Sequence, residues 1–211
     1  MKVAIIDYEA GNLRNVQKAI EKFNIDAEIV SEGRKLVNFD SIILPGVGSF
    51  YHGMKKLIER DFKQFIREEV LVKKKPFLGI CLGMQLMGKK GEEGETCEGL
   101  DLLPFEVKHF GYSKLRIPHI GWNNIEKNPN SKLLYDIPNN SDFYFVHSYR
   151  IDKIEKKYVS GICEYGTEFV AAIEFENIFG TQFHPEKSQH YGLKIIENFL
   201  KISINKIKIN A

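Results

Sequence analysis

The first 81 residues alternate short apolar runs with longer stretches of helical period, and nothing else in the chain restricts its folding as much. VAIID, AEIV, SIILPG and PFLGIC read as strands, while LRNVQKAIEKF and the long stretch from Met54 to Val72 read as helices between them. Strands separated by helices pair in parallel, with the helices packed on the sheet faces. In the first helical run Leu13, Val16, Ile20 and Phe23 recur at spacings of three and four, which gives one apolar stripe to lay on the sheet.

After Gly94 the pattern changes to short strand-like pieces broken by turns: LLPFEVKHF, KLRIPHIGW, FYFVHSYRI, YVSGICEY, FVAAIEFE and IFGTQFHPE. These predict an antiparallel extension of the parallel sheet. A last helix is expected from Tyr191 to about Leu200, with the tail KISINKIKINA fraying beyond it. The expectation is a single α/β domain over residues 1–211, with a mixed, mainly parallel sheet flanked by helices and an antiparallel extension.

Charge narrows the function classes. Thirty basic against 28 acidic residues leave a formal charge of +2, without the excess that nucleic acid or an anionic membrane attracts. Runs such as Lys73-Lys74-Lys75 and Lys153 to Lys157 read as solvated surface. Four apolar residues before Asp7 are too few for a signal-peptide core or a membrane span, so the expected location is cytoplasmic and the sequon at Asn139 carries no meaning. Cys81, Cys97 and Cys163 are widely spaced, with no C-x-x-C pair; neither a disulfide framework nor a metal site is indicated.

One of the three cysteines stands apart. In LGICLGMQ, Cys81 lies between Gly79 and Gly83 where an apolar strand gives way to a helical run. That is the pattern of a nucleophile elbow, in which glycines relieve crowding around a side chain forced out of the bend toward solvent. A thiol needs a base to become a useful nucleophile at neutral pH. His184, in QFHPEKS, has Glu186 two positions on, where an extended segment would set the carboxylate beside the imidazole. LPGVGSF ends a strand with Gly46 and Gly48 around Val47; with the N–H of Leu82 this backbone is suited to an oxyanion hole. The set supports acyl transfer through a thioester. Taken singly, each piece has a plainer reading as a turn or a packed cysteine, and only the combination is specific.

PGVGSF, GICLGMQ and QFHPEKS resemble the three signatures of class I glutamine amidotransferases. GNLRNV, GEEG, IPHIGWN, YFVHSYR and GLKIIENF further resemble the glutaminase subunits of imidazole glycerol phosphate synthases, so the similarity covers nearly the whole chain. The resemblance implies hydrolysis of L-glutamine to glutamate and ammonia by Cys81 as nucleophile, His184 as base and then acid, and Glu186 as orienter, without metal or organic cofactor. It implies Gly46, Val47, Gly48 and Leu82 in the oxyanion region, and Gln85, Glu93, Ser148 and Tyr149 around the amino-acid end of glutamine. It also implies a heterodimer with a (β/α)8-barrel synthase, met by Asn12, Asn15, Trp122, Tyr144 and Lys187. Two departures stand out: DYEAGN has Glu9 where the pattern has glycine, and Thr181 stands where valine is expected. Both leave room for a relative that feeds a different synthase, for example in sugar amidination.

GMQLMGKK, Gly83 to Lys90, nearly spells a phosphate-binding loop and makes a nucleotide-binding protein the rival reading. Lys90, however, offers no hydroxyl to Mg²⁺, and MQLM is helix-forming. His52, His109 and His190 read as surface or loop residues. His119 and His147 are alternative bases but lack a carboxylate two positions away, and read as structural or interface residues. Trp122, taken without the resemblance, reads as core.

Overall fold

The computed structural model describes residues 1–111 and 115–210. The four apolar runs of the N-terminal half form β1 (Lys2–Ile6), β2 (Asp26–Val30), β3 (Ser41–Gly46) and β4 (Phe77–Cys81). Two short strands follow, β5 (Lys90–Gly91) and β6 (Cys97–Glu98), then β7 (Glu106–His109), β8 (His119–Lys127), β9 (Ser141–His147) and β10 (Tyr149–Ile151). The last three are β11 (Val159–Glu164), β12 (Glu168–Phe175) and β13 (Ile178–Thr181). The helices are α1 (Leu13–Glu21), α2 (Phe50–Glu59), α3 (Phe62–Arg67), α4 (Leu82–Leu86) and α5 (Gln189–Asn210).

The main sheet has the order β2-β1-β3-β4-β13-β12-β11-β8-β9. Its first five strands are parallel, and from β13 onward each pairing is antiparallel. Successive side chains of a strand point to opposite faces, and β1 is buried on both. Ala4 and Ile6 join Leu44, Met54, Leu57, Phe62 and Ile66 under α2 and α3. Val3 and Ile5 join Val16, Ile20, Ile195 and Phe199 under α1 and α5. Each large apolar side chain so enclosed contributes about 1.5–3 kcal/mol from removal of its surface from water.

Several sequence expectations need correction. The stretch from Met54 to Val72 is not one helix: Asp61, with a left-handed φ of 59°, separates α2 from α3, and residues Glu68–Val72 wind as a π-helical turn. LLPFEVKHF does not extend the main sheet, because β7 belongs to a second sheet of order β10-β7-β5-β6. FYFVHSYRI divides at Ser148, β9 entering one sheet and β10 the other. IFGTQFHPE supplies β13, which inserts beside β4 in parallel rather than joining the antiparallel strands on both sides. The strand expected over KLRIPHIGW starts only at His119, and its Lys114 lies outside the described residues.

The C-terminal tail does not fray at Leu200. Residues 201–210 continue α5, held in part by Ser203, which is fully buried and whose Oγ donates to the Phe199 carbonyl at 2.9 Å. Of the lysine run, Lys75 is a structural partner rather than solvated surface. Its ammonium lies 2.6 Å from the carboxylate of Glu69, whose side chain is fully buried, and a buried carboxylate needs such a cation.

Candidate active site

β4 delivers Cys81 to the bend, and α4 starts at the next residue with Cys81 in the N-cap position. The cysteine has φ 53° and ψ −110°, a conformation that costs a non-glycine residue about 1–3 kcal/mol and persists only where the surroundings enforce it. Here close packing enforces it: a β-carbon on Gly83 would overlap the carbonyl of Leu44, and one on Gly79 would overlap Met87 and the carbonyl of Gly83. The elbow does not thrust its thiol into open solvent, as the sequence pattern suggested. Cys81 is only 5% exposed, and it forms the floor of a cleft of about 520 Å³.

Beside it, β13 runs parallel to β4 and carries the chain to Gln182, Phe183 and His184. His184 Nδ1 and Glu186 Oε1 are 2.8 Å apart, with side chains 2% and 3% exposed. A 3-10 turn over Pro185–Lys187 brings the carboxylate to the ring, where the sequence reading had an extended segment. The carboxylate accepts from Nδ1–H, leaving the Nε2 lone pair for a proton; Nε2 is buried and turned toward the Cys81 thiol. Burial opposes the charged imidazolium, but hydrogen bonding and charge from Cys81 and Glu186 outweigh it and raise its pKa to about 9. The Cys81 Sγ donates to the Val146 carbonyl and accepts from Gln182 Nε2, each at 3.8 Å.

The cleft gathers most of the remaining sequence candidates. Val47, Gly48 and Leu82 line it near the thiol, and Gly46 lies opposite Cys81 in the β3–β4 register. Gly48 has φ 102° with open space where a side chain would be. Gln85, Glu93, Ser148 and Tyr149 form another part of the wall. Both N–H groups of the Gln85 amide are engaged, to Tyr149 O at 2.8 Å and Gln182 Oε1 at 3.0 Å. Its own carbonyl remains as an acceptor, and the residue lines the cleft. Burial raises the Glu93 pKa, partly offset by a hydrogen bond from the Phe50 backbone. An amide carbonyl and a carboxylate lining the same cleft as the thiol suit an ammonium group. Sequence reading missed Gln182, Val146, Ser49 and Pro118; only Gln182 gave a signal, as a polar residue inside an apolar strand end.

The family model described as glutamine amidotransferase class-I matches residues 4–202. The chain belongs to the class I glutamine amidotransferases. Imidazole glycerol phosphate synthase subunit HisH 1 of Campylobacter jejuni is 49% identical over 201 residues, covering 95% of this chain and all of the relative. The subunit HisH of Moorella thermoacetica is 44% identical, covering 93% of each chain. A chain in the structure of PurLQS from Thermotoga maritima superposes with a TM-score of 0.72 at 19% identity, over 95% of this chain and 98% of that one. A glutamine amidotransferase structure from the same organism gives 0.64 at 21%, over 99% and 86%.

Outside the cleft of this class I amidotransferase, Trp122 of β8 and Tyr144 of β9 face each other across the ladder, their rings 6.1 Å apart. Trp122 is 48% exposed, which corrects its reading as core. Lys187 Nζ lies 5.9 Å over the Tyr144 ring, and the same residue lines the cleft. Asn12 caps α1 through the Asn15 N–H, and α1 packs on the turn that holds Glu186. Glu9, at φ 67°, pairs with Arg60 and Lys56. Thr181 is buried, its hydroxyl donating to the Phe183 carbonyl at 3.0 Å.

His119 and His147 are buried and joined through Nδ1 and Nε2 at 3.1 Å, and His147 Nδ1 donates to Tyr149 O at 2.9 Å. Burial lowers their pKa values to about 4 and about 3, so both are neutral supports for the cleft wall. His52, His109 and His190 are exposed. Gly83 to Leu86 of the phosphate-loop look-alike lie in α4, and Lys90 starts β5; the run wraps no open anion cradle. Among the described residues no helix is long and apolar enough to cross a membrane.

Proposed function

We propose that this chain is the glutaminase subunit of an imidazole glycerol phosphate synthase, serving histidine biosynthesis, with Cys81, His184 and Glu186 as its catalytic groups. The observation that carries the chemistry is the buried His184–Glu186 pair beside the Cys81 thiol at the floor of the cleft. The names of the curated relatives, matched over nearly all of this chain, support the pathway.

His184 Nε2 takes the thiol proton, and the Cys81 sulfur forms a C–S bond to the glutamine side-chain carbonyl carbon. The carbonyl electrons move onto oxygen, where backbone N–H groups of Val47, Gly48 and Leu82 receive them; one such donor is worth roughly 10²–10³ in rate. The tetrahedral species collapses, the C–N bond breaks, and the imidazolium gives its proton to the leaving nitrogen, releasing ammonia. Water then attacks the thioester as His184 takes its proton, the C–S bond breaks, and glutamate leaves with the sulfur reprotonated. Glu186 holds the ring and stabilises its charge throughout. The α-ammonium of glutamine meets Gln85 Oε1 and Glu93, with Ser148 and Tyr149 completing that end.

Ammonia released to water is protonated and lost, so a (β/α)8-barrel cyclase docks over Trp122, Tyr144, Lys187, Asn12 and Asn15 to receive it. The test is glutamate release by the purified chain alone and with the cyclase and its acceptor ligand. Release is slow alone and rises steeply with both; full activity alone would remove the coupling. Stimulation by another synthase and not by the cyclase would assign the chain to a paralogous pathway.

A further inference from the structure

Gln182 belongs to none of the groups assigned above, yet it is completely buried at the end of β13. A buried amide costs stability unless its polar atoms are bonded, and the bonds made here fix which way it points. Tyr149 O must receive an N–H, which fixes the orientation of the Gln85 amide. Gln85 Nε2 therefore also faces Gln182, so Gln182 turns its carbonyl to Gln85 and its N–H to the Cys81 sulfur. The result is a directional chain from the cleft wall to the nucleophile. We propose that Gln182 is a positioning residue that gives the Cys81 sulfur an N–H donor and ties that donor, through Gln85, to occupancy of the substrate cleft.

The two bonds at the sulfur have different fates. With the thiol protonated, S–H donates to the Val146 carbonyl; once the proton passes to His184, that carbonyl has nothing to receive and faces a negative sulfur. The Gln182 N–H stays, and a hydrogen bond to an ion is about twice as strong as one to a neutral acceptor. Gln182 thus favours the thiolate over the thiol without carrying charge. A ligand ammonium on Gln85 Oε1 polarises the Gln85 N–H toward Gln182 and strengthens the next donor in line. This deepens the glutaminase reading and rests on it, since the ammonium is that of the proposed substrate.

The test is the rate of Cys81 alkylation by iodoacetamide against pH, followed by peptide mass spectrometry, in wild type and in Gln182→Met. Methionine fills the space and donates nothing. In the variant the alkylation profile moves to higher pH, so that alkylation at pH 7 slows severalfold. In Gln182→Glu, where a carboxylate replaces the donor, it moves further. A folded Gln182→Met chain with the wild-type profile overturns the proposal, because loss of the N–H donor would then leave ionisation of the sulfur unchanged. Where either variant fails to fold, the Gln182 side-chain amide proton in ¹⁵N-labelled wild type decides: it shifts as Cys81 ionises, and a resonance constant through that titration overturns the proposal. Failure of a glutamine-analogue electrophile to label wild-type Cys81 is a separate result, and it would strike the glutaminase reading itself.

Discussion

The hydroxyl of Tyr8 occupies the space where Gly46 would carry a side chain, and it is buried there without a hydrogen-bond partner. Burial, then the neighbouring charge of Cys81, push its phenol well above the ordinary pKa, so it remains neutral beside the proposed oxyanion strand. Removing an unpaired hydroxyl recovers its desolvation cost. Tyr8→Phe is expected to raise stability by about 1 kcal/mol in urea unfolding; a loss of similar size would show that the hydroxyl has a partner.

Gly83 and Gly48 should respond differently to the same substitution. In Gly83→Ala the new methyl overlaps the Leu44 carbonyl, forcing α4 off β3 at a cost of about 3 kcal/mol or more, and Cys81 labelling falls with it. Gly48→Ala meets no atom but must hold φ at 102°, a strain of about 1–2 kcal/mol. Thermal unfolding of the two variants ranks them.

His184→Ala is expected to lower kcat by about 10⁴ or more, nearly as far as Cys81→Ala, while Glu186→Ala costs less because a base remains, though misaligned. Single-turnover assays with the synthase partner present separate this loss from binding. An essential His147 beside a dispensable His184 would reverse the assignment.

Acid should destabilise the fold through His119 and His147. Both have pKa values below the ordinary 6.5, so below that pH the unfolded chain binds protons that the folded chain refuses. Their contribution is complete above pH 6.5 and declines as pH falls toward 4, at up to about 1.4 kcal/mol per pH unit for each histidine. His119 stacks on Tyr165 and Phe145 at 4.0 and 4.9 Å, a slot that phenylalanine fits. Urea titrations of His119→Phe between pH 7 and 5 should show a slope reduced by a growing fraction of a proton, approaching one near pH 5.

The helix–strand alternation of the N-terminal half was legible because each element there is specified locally: Val16 and Ile20 mark one face of α1, and β1, β3 and β4 are nearly continuous apolar runs. The elbow and the His184–Glu186 pair were legible for the same reason, since both are short in sequence. What escaped depends on distant partners. β7 and β10 read like any other strand, and nothing in them names the second sheet. Lys75 looked solvated because its buried partner, Glu69, is recognisable only once the π-helical turn is formed. Gln182 reaches Cys81 only through the insertion of β13 beside β4, and Val146 only through the folding of distant β9 back over the cleft.

That insertion also sets a schedule. β13 lies between β4 and β12, yet it is made after both, so a chain emerging from the ribosome holds Cys81 on a strand whose neighbouring edge is still vacant. An open edge pairs readily with other chains, and the thiol there has no base beside it, because His184 and Glu186 follow β13 in sequence. On the proposed mechanism the nascent protein is therefore chemically silent until nearly the whole polypeptide has been synthesised. The strand that closes the edge brings His184, Glu186 and Gln182, the proposed base, orienter and donor, to the thiol in one step, so on the proposed mechanism glutamine hydrolysis begins only in molecules whose central sheet is complete.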